Sequence, residues 1–174
     1  THSTSSAASD VYKRQLYALA QISMSQGNFE EGVKFVLQWM DEVEVITAQG
    51  WSLLGGGYYQ LGTDKKLESE KLDYFEKAIE SMLNAVQIAE VEQYTPKENW
   101  YIIMAACYSS LKPRIGVEES LNKQLEIYEI LVNLFPKKQY FLNLAGIYNQ
   151  LDRELDYMVT LNTVSYTHLR AHET

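Results

Sequence analysis

Few residues in this chain are of a type and spacing that could do covalent chemistry. Cys107 is the single cysteine, and the three histidines are His2, His168 and His172. A thiolate or serine nucleophile needs a base beside it, most often histidine. Between Leu16 and Thr163 there is none, so neither a Ser/His/Asp nor a Cys/His arrangement can be built there. One cysteine also excludes an intrachain disulfide and any cysteine-cluster metal site. Cys107 directly precedes Tyr108 on an apolar stripe, which reads as a buried structural thiol. The carboxylate pairs Glu30-Glu31 and Glu118-Glu119 could serve as general acids or bases. Both fall on polar helix faces near turns, where a negative charge suits a helix N-terminus. Gly55-Gly56-Gly57 suggests a phosphate loop, but it lies inside a helical stripe and lacks the Lys-Ser/Thr ending. Three helical glycines should cost about 1 kcal/mol each relative to alanine. Either neighbour packing compensates, or they leave room for a ligand. The expectation is a non-enzyme, with no catalytic residue, cofactor or metal ligand.

The elements that position these residues repeat. Tyr58-Tyr59-Gln60-Leu61 returns as Tyr108-Ser109-Ser110-Leu111 and as Tyr148-Asn149-Gln150-Leu151. A large residue leads each copy by seven: Trp51, Tyr101, Phe141. Pro96-Lys97 and Pro136-Lys137 precede the second and third of these copies, each proline twelve residues before its tyrosine. Apolar residues elsewhere recur at three and four, as in Phe29, Val33, Val36, Leu37 and Met40, or Ile79, Met82, Val86 and Ala89. Breaks fall at Gly27-Asn28, Gly62, Pro113, Pro136 and near Asp152. No sustained period of two is present. The economical reading is all-α, with eight helices in four pairs.

These residues resemble the tetratricopeptide repeat family. Trp51, Leu54-Gly55, Tyr58 and Gly62 match the pattern of the first helix, and Ala78, Met82 and Ala85 match the small–large–small pattern of the second. Tyr101, Met104, Ala105 and Tyr108 form another copy, as do Phe141, Leu144, Ala145 and Tyr148; Leu16, Leu19, Ala20 and Gly27 form a weaker first one. The resemblance implies a right-handed α-solenoid of about four antiparallel helix pairs. The spacing departs from it. The family repeats about every 34 residues, whereas Trp51 to Tyr101 is 50 and Tyr101 to Phe141 is 40. The excess falls within hairpins, at 63–74 and 113–120, as helix extensions or contact loops.

A narrower likeness rests on Pro96-Lys97-Glu98-Asn99-Trp100-Tyr101, on Leu131 to Tyr140, and on Leu144-Ala145-Gly146-Ile147-Tyr148-Asn149-Gln150-Leu151. These resemble tetratricopeptide proteins associated with TonB-type energy-transduction systems. That likeness implies a periplasmic or cell-envelope location and TonB-system components as partners. The other reading is a soluble regulatory or structural subunit unrelated to TonB. An output domain attached to the full gene would favour it, and a signal sequence upstream of Leu16 would favour the envelope.

In such repeats the first helix of each pair lines a concave groove. By register the groove carries Ser52, Gly56, Tyr59 and Gln60; then Ile102, Ala106, Ser109 and Ser110; then Leu142, Gly146, Asn149 and Gln150. Small residues at Gly56, Ala106 and Gly146 keep its floor low, while Tyr59, Asn149 and Gln150 offer hydrogen bonds. An extended or helical peptide suits such a surface. The basic clamp that some relatives use for C-terminal carboxylates is not evident, since its positions hold Tyr17, Gln21, Leu53, Asn99 and Ile103.

The two ends read differently from the rest. Asp10-Val11-Tyr12-Lys13-Arg14-Gln15 can be encoded by GATGTGTATAAGAGACAG, whose reverse complement, read from its third base, begins Val-Ser-Tyr-Thr-His. That is the order of Val164 to His168. Both ends resemble transposon-derived sequencing-adapter DNA in translation, so residues 1–15 and 164–174 are set aside as non-native tails around a repeat region at 16–163. All three histidines lie in those tails. The repeat region keeps 12 basic and 21 acidic residues, after removal of Lys13, Arg14, Arg170, Asp10 and Glu173. Its net charge of −9, against −8 for the chain, disfavours nucleic acid and suits cationic partners. No apolar run reaches the roughly 18 residues needed to span a bilayer. A repeat array cut at both ends would expose surfaces meant for neighbours. Leu16 and Leu19 at one end, and Met158 and Leu161 at the other, are the expected sites of fraying or self-association.

Overall fold

The computed structural model describes residues 2–171, with side-chain placement for 9–164. Every regular element among the described residues is a helix. The order is α1 (His2–Ser25), α2 (Phe29–Glu42), α3 (Ala48–Asp64), α4 (Glu68–Val91), α5 (Glu98–Ser110), α6 (Lys112–Ile115), α7 (Val117–Leu134), α8 (Lys138–Gln150) and α9 (Glu154–Ala171). The chain divides into two compact units, Thr1–Pro96 and Lys97–Thr174. The all-α expectation holds. The count differs by α6, a single turn opened by Pro113 and closed by Gly116 at φ 90°.

In the first unit each helix packs on the next, α1 on α2, α2 on α3 and α3 on α4. The second follows the same rule once α6 is passed over: α5 packs on α7, α7 on α8 and α8 on α9. The α1 and α9 helices run through residues 15/16 and 163/164 without a break.

Three helices end with one device. After α1, the Gly27 N–H donates to Met24 O (3.1 Å) and the Asn28 N–H to Ser23 O (2.9 Å). The same pair of bonds recurs at Gln93 and Tyr94 after α4, and at Asp152 and Arg153 after α8. Each closes on a residue of positive φ: Gly27 (80°), Gln93 (60°) and Asp152 (55°). This left-handed cap satisfies the last carbonyls of a helix. Pro96 and Pro136 each stand two residues before a helix, and the following turns are alike. The Trp100 N–H donates to Lys97 O and the Tyr140 N–H to Lys137 O, at 3.0 and 2.9 Å.

The segment 63–74 is helical except for 65–67, so the long spacing reflects longer helices rather than a long loop. That outcome follows from Glu68 and Glu70 in the first turn of α4, where carboxylates favour a helix start. The segment 113–120 is divided between α6 and the first turn of α7.

Burial follows the repeat. Leu54, Met104 and Leu144 are buried, as are Gly55, Ala105 and Ala145 beside them. Two expectations need correction. Leu37 is exposed, while Trp39, about 200° away around α2, is buried, its ring 4.9 Å from Tyr17 and lying over Gly50. Leu16 is buried, so it is not an open end surface, whereas its neighbour Leu19 is exposed. The apolar positions 155, 158 and 161 step by three and drift around a helix of 3.6 residues per turn. In α9, Leu155 and Met158 therefore face outward, while Tyr157 packs with Leu144 and Tyr148, Leu161 is half-buried, and Thr160 and Val164 are buried.

Candidate partner-binding surface

The glycine run of α3 is resolved by direction. A Cβ on Gly55 would meet Met82 and Ser81 at 3.1 Å and the Ala78 carbonyl at 3.2 Å, so α4 closes on that side. A Cβ on Gly57 would strike Met24 of α1, and Val33 Cγ2 of α2 at 2.7 Å. One at Gly50 would enter the Trp39 ring, and one at Gly62 would meet Phe75 at 2.7 Å. Burying a large apolar side chain stabilises by about 1.5–3 kcal/mol, against roughly 1 kcal/mol lost per helical glycine. Packing therefore outweighs the glycine cost, and neither Gly55 nor Gly57 leaves room for a ligand. Gly56 differs, because a Cβ there would meet nothing within 4 Å.

Gly56 lies on the strip of α3 that the neighbouring helices leave uncovered. Ser52, Gly56 and Tyr59 are half-buried and Gln60 is exposed. Tyr59 leans on Phe75 of α4 at 6.0 Å between ring centres, and the Ser52 hydroxyl donates to Gln49 O at 3.0 Å. In α5 the equivalent strip has Ile102 exposed, with Ala106, Ser109 and Ser110 half-buried. In α8, Leu142, Gly146, Asn149 and Gln150 are all exposed. Gly146, like Gly56, has open space where a Cβ would stand, and the Gln150 amide donates to its carbonyl at 3.2 Å.

Within the second unit the first turns of α5 and α8 are tied side by side. Glu98 receives the Lys137 ammonium at 2.7 Å and the Tyr140 hydroxyl. Hydrogen bonds from Lys137 and then Tyr140 hold the Glu98 carboxyl below its usual range. Burial, followed by the bond to Glu98, pushes the Tyr140 phenol up to about 12. At the far end of α8, Tyr148 donates to Glu129 at 2.8 Å while the Arg153 guanidinium lies 4.7 Å over its ring. Burial is again the larger cause that lifts its phenol to about 12. Asn149 forms one wall of a recess of about 520 Å³ with Asp152, Arg153, Glu154, Tyr157 and Met158. Sequence reading missed this recess, because the turn at Asp152 creates it.

The first unit places its recesses elsewhere. One of about 560 Å³ is lined by Tyr17, Gln21, Trp39 and Gln49 among others, and one of about 600 Å³ by Phe29, Glu30, Glu31, Asp64 and Lys65. None of Ser52, Gly56, Tyr59 or Gln60 lines either one.

The residues first considered for chemistry divide between one buried thiol and four exposed carboxylates. Cys107 is fully buried in α5, and burial pushes its thiol to about 12, far from a reactive thiolate. Glu30, Glu31, Glu118 and Glu119 are exposed in the first turns of α2 and α7, with Glu30 paired to Lys65 at 3.0 Å. His2, His168 and His172 lie outside the residues with described side chains. Among the described residues no group of three or more His, Cys, Asp or Glu could hold a metal ion, and no helix is long and apolar enough to cross a membrane. The chain matches no protein-family model, no curated protein and no solved structure.

Proposed function

We propose that this chain is a non-catalytic scaffold that binds a protein or peptide partner along the first helices of a tetratricopeptide-like right-handed α-solenoid. One observation carries the reading. Gly56, Ala106 and Gly146 recur at equivalent positions of α3, α5 and α8, none of them fully buried, and a Cβ at Gly56 or Gly146 would meet nothing within 4 Å. A floor without projecting side chains admits a partner's backbone closely, and flanking polar groups such as Gln60, Ser109, Asn149 and Gln150 can then pair with it. The side-by-side turns of α5 and α8 at Glu98 support neighbouring strips acting together in the second unit.

The partner class that fits the narrower sequence likeness is a component of a TonB-type uptake system in the cell envelope. The acidic balance of the chain suits a cationic partner segment. Capture of purified TonB-system components by immobilised chain tests both parts. Tyr59→Ala and Asn149→Ala should each weaken capture by about tenfold, the scale of one interface hot spot, with helical circular dichroism unchanged. Undiminished capture by both variants would sink the groove assignment; no capture by the parent chain would sink the TonB assignment.

A further inference from the structure

Two apolar stripes lie on exposed helix faces, and neither belongs to the strips above. On α1, Val11, Ala18, Leu19 and Ile22 recur at helical spacing, and all four are exposed. On α9, Leu155 (80% exposed), Met158 (54%) and Val159 (65%) do the same. Single exposed apolar residues are ordinary, but contiguous stripes mark contact surfaces. Their flanking charges are complementary. Beside the α1 stripe stand Lys13 and Arg14, with Asp10 as the opposing charge. Beside the α9 stripe stand Asp152 and Glu154, while Arg153 is tied to Asp156 at 2.8 Å. Like-with-like pairing would bring acid against acid at α9. Unlike pairing brings base against acid.

We infer that copies of this chain associate head to tail, with the α9 stripe of one copy on the α1 stripe of the next. Leu19 and Ile22 lie in the repeat region, and Val11 and Arg14 continue the stripe into the tail preceding it, so the inference concerns this chain as it stands. Two different surfaces in contact make a heterologous interface, which closes into a ring where the rotation between copies allows and otherwise extends as an open chain.

Sedimentation velocity of the full chain over a wide concentration range tests this. The expected result is a weight-average mass that rises with concentration to two copies or more. Ile22→Glu blocks one stripe and Leu155→Glu the other; both positions are exposed, so helical circular dichroism should be retained. Each variant alone should associate at least about tenfold more weakly than the parent. An equimolar mixture of the two should form a pair that stops at two copies, because one intact α9 stripe meets one intact α1 stripe. A monomer at every concentration, a single variant that pairs with itself, or a mixture that does not pair would each overturn the inference.

Discussion

The two units follow one packing order by different means. In Thr1–Pro96 the helices are drawn together by absent side chains: Gly50, Gly55, Gly57 and Gly62 admit Trp39, Met82, Met24 and Phe75 against the α3 backbone. In Lys97–Thr174 the counterparts of Gly55 are Ala105 and Ala145, those of Gly50 and Gly57 are larger (Trp100 and Tyr140, Cys107 and Ile147), and polar side chains supply added ties. Buried Ser120 donates to the Tyr108 carbonyl at 2.7 Å, and Gln124 donates to Ser120 O and Oγ at 3.1 and 3.0 Å. Glu98 and Glu129 hold the hydroxyls of Tyr140 and Tyr148. Close approach is non-directional and depends on volume. Hydrogen bonds depend on a protonation state, so the two units should fail under different challenges.

The largest expected effect is in the second unit. Trp100 is 1% exposed and the largest fully buried side chain. Trp100→Ala should cost about 3–5 kcal/mol by cavity formation, read as a fall in the denaturation midpoint and lost amide protection in α5. Next comes Gly50→Ala, which places a methyl group in the Trp39 ring. Overpacking of about 1–3 kcal/mol should exceed the roughly 1 kcal/mol gained in helix propensity. Unchanged stability would mean that the first unit does not depend on close approach.

Alkaline titration separates the units by protonation. In the folded chain Tyr140 and Tyr148 keep their phenol protons to about 12, against 10.0 for the free group. Between those values the unfolded chain has released protons that the folded chain retains. Their contribution is therefore complete below pH about 10 and is lost as pH rises through about 12. Burial also raises Tyr17 and Tyr58 in the first unit, but neither is held by a carboxylate in the way of the second pair. Fluorotryptophan resonances, with Trp39 and Trp51 in one unit and Trp100 in the other, should show Trp100 shifting at the lower pH. The smallest effect should be favourable. Gly56→Ala meets open space and should stabilise the chain by about 1 kcal/mol, opposite in sign to Gly50→Ala six residues earlier.

Much of this was legible in the residues. The recurring Leu54, Met104 and Leu144 positions are buried because a period near 3.6 with a fixed offset can face only one way. The breaks at Gly27 and Asp152 are true helix ends, since glycine and aspartate tolerate positive φ. The end at Gln93 carried no such signal, because glutamine is an ordinary helix former; the exposed residue stands at φ 60°, within the cap bonds to Glu90 O and Ala89 O. The residues that register places on one side of α3, α5 and α8 range from half-buried to exposed. The recess beside Asn149 did not follow from register, as it depends on the path of the chain between two helices.

Sequence alone therefore determined the all-α class, the burial of Leu54, Met104 and Leu144, and the lack of histidine between Leu16 and Thr163. These are one-dimensional properties of spacing and residue type. Only the tertiary structure decided what three adjacent glycines do: Gly55 receives α4, Gly57 receives α1 and α2, and Gly56 faces open space. Neighbours on a helix point 100° apart, so their roles depend on what stands in each direction, and no local pattern records that.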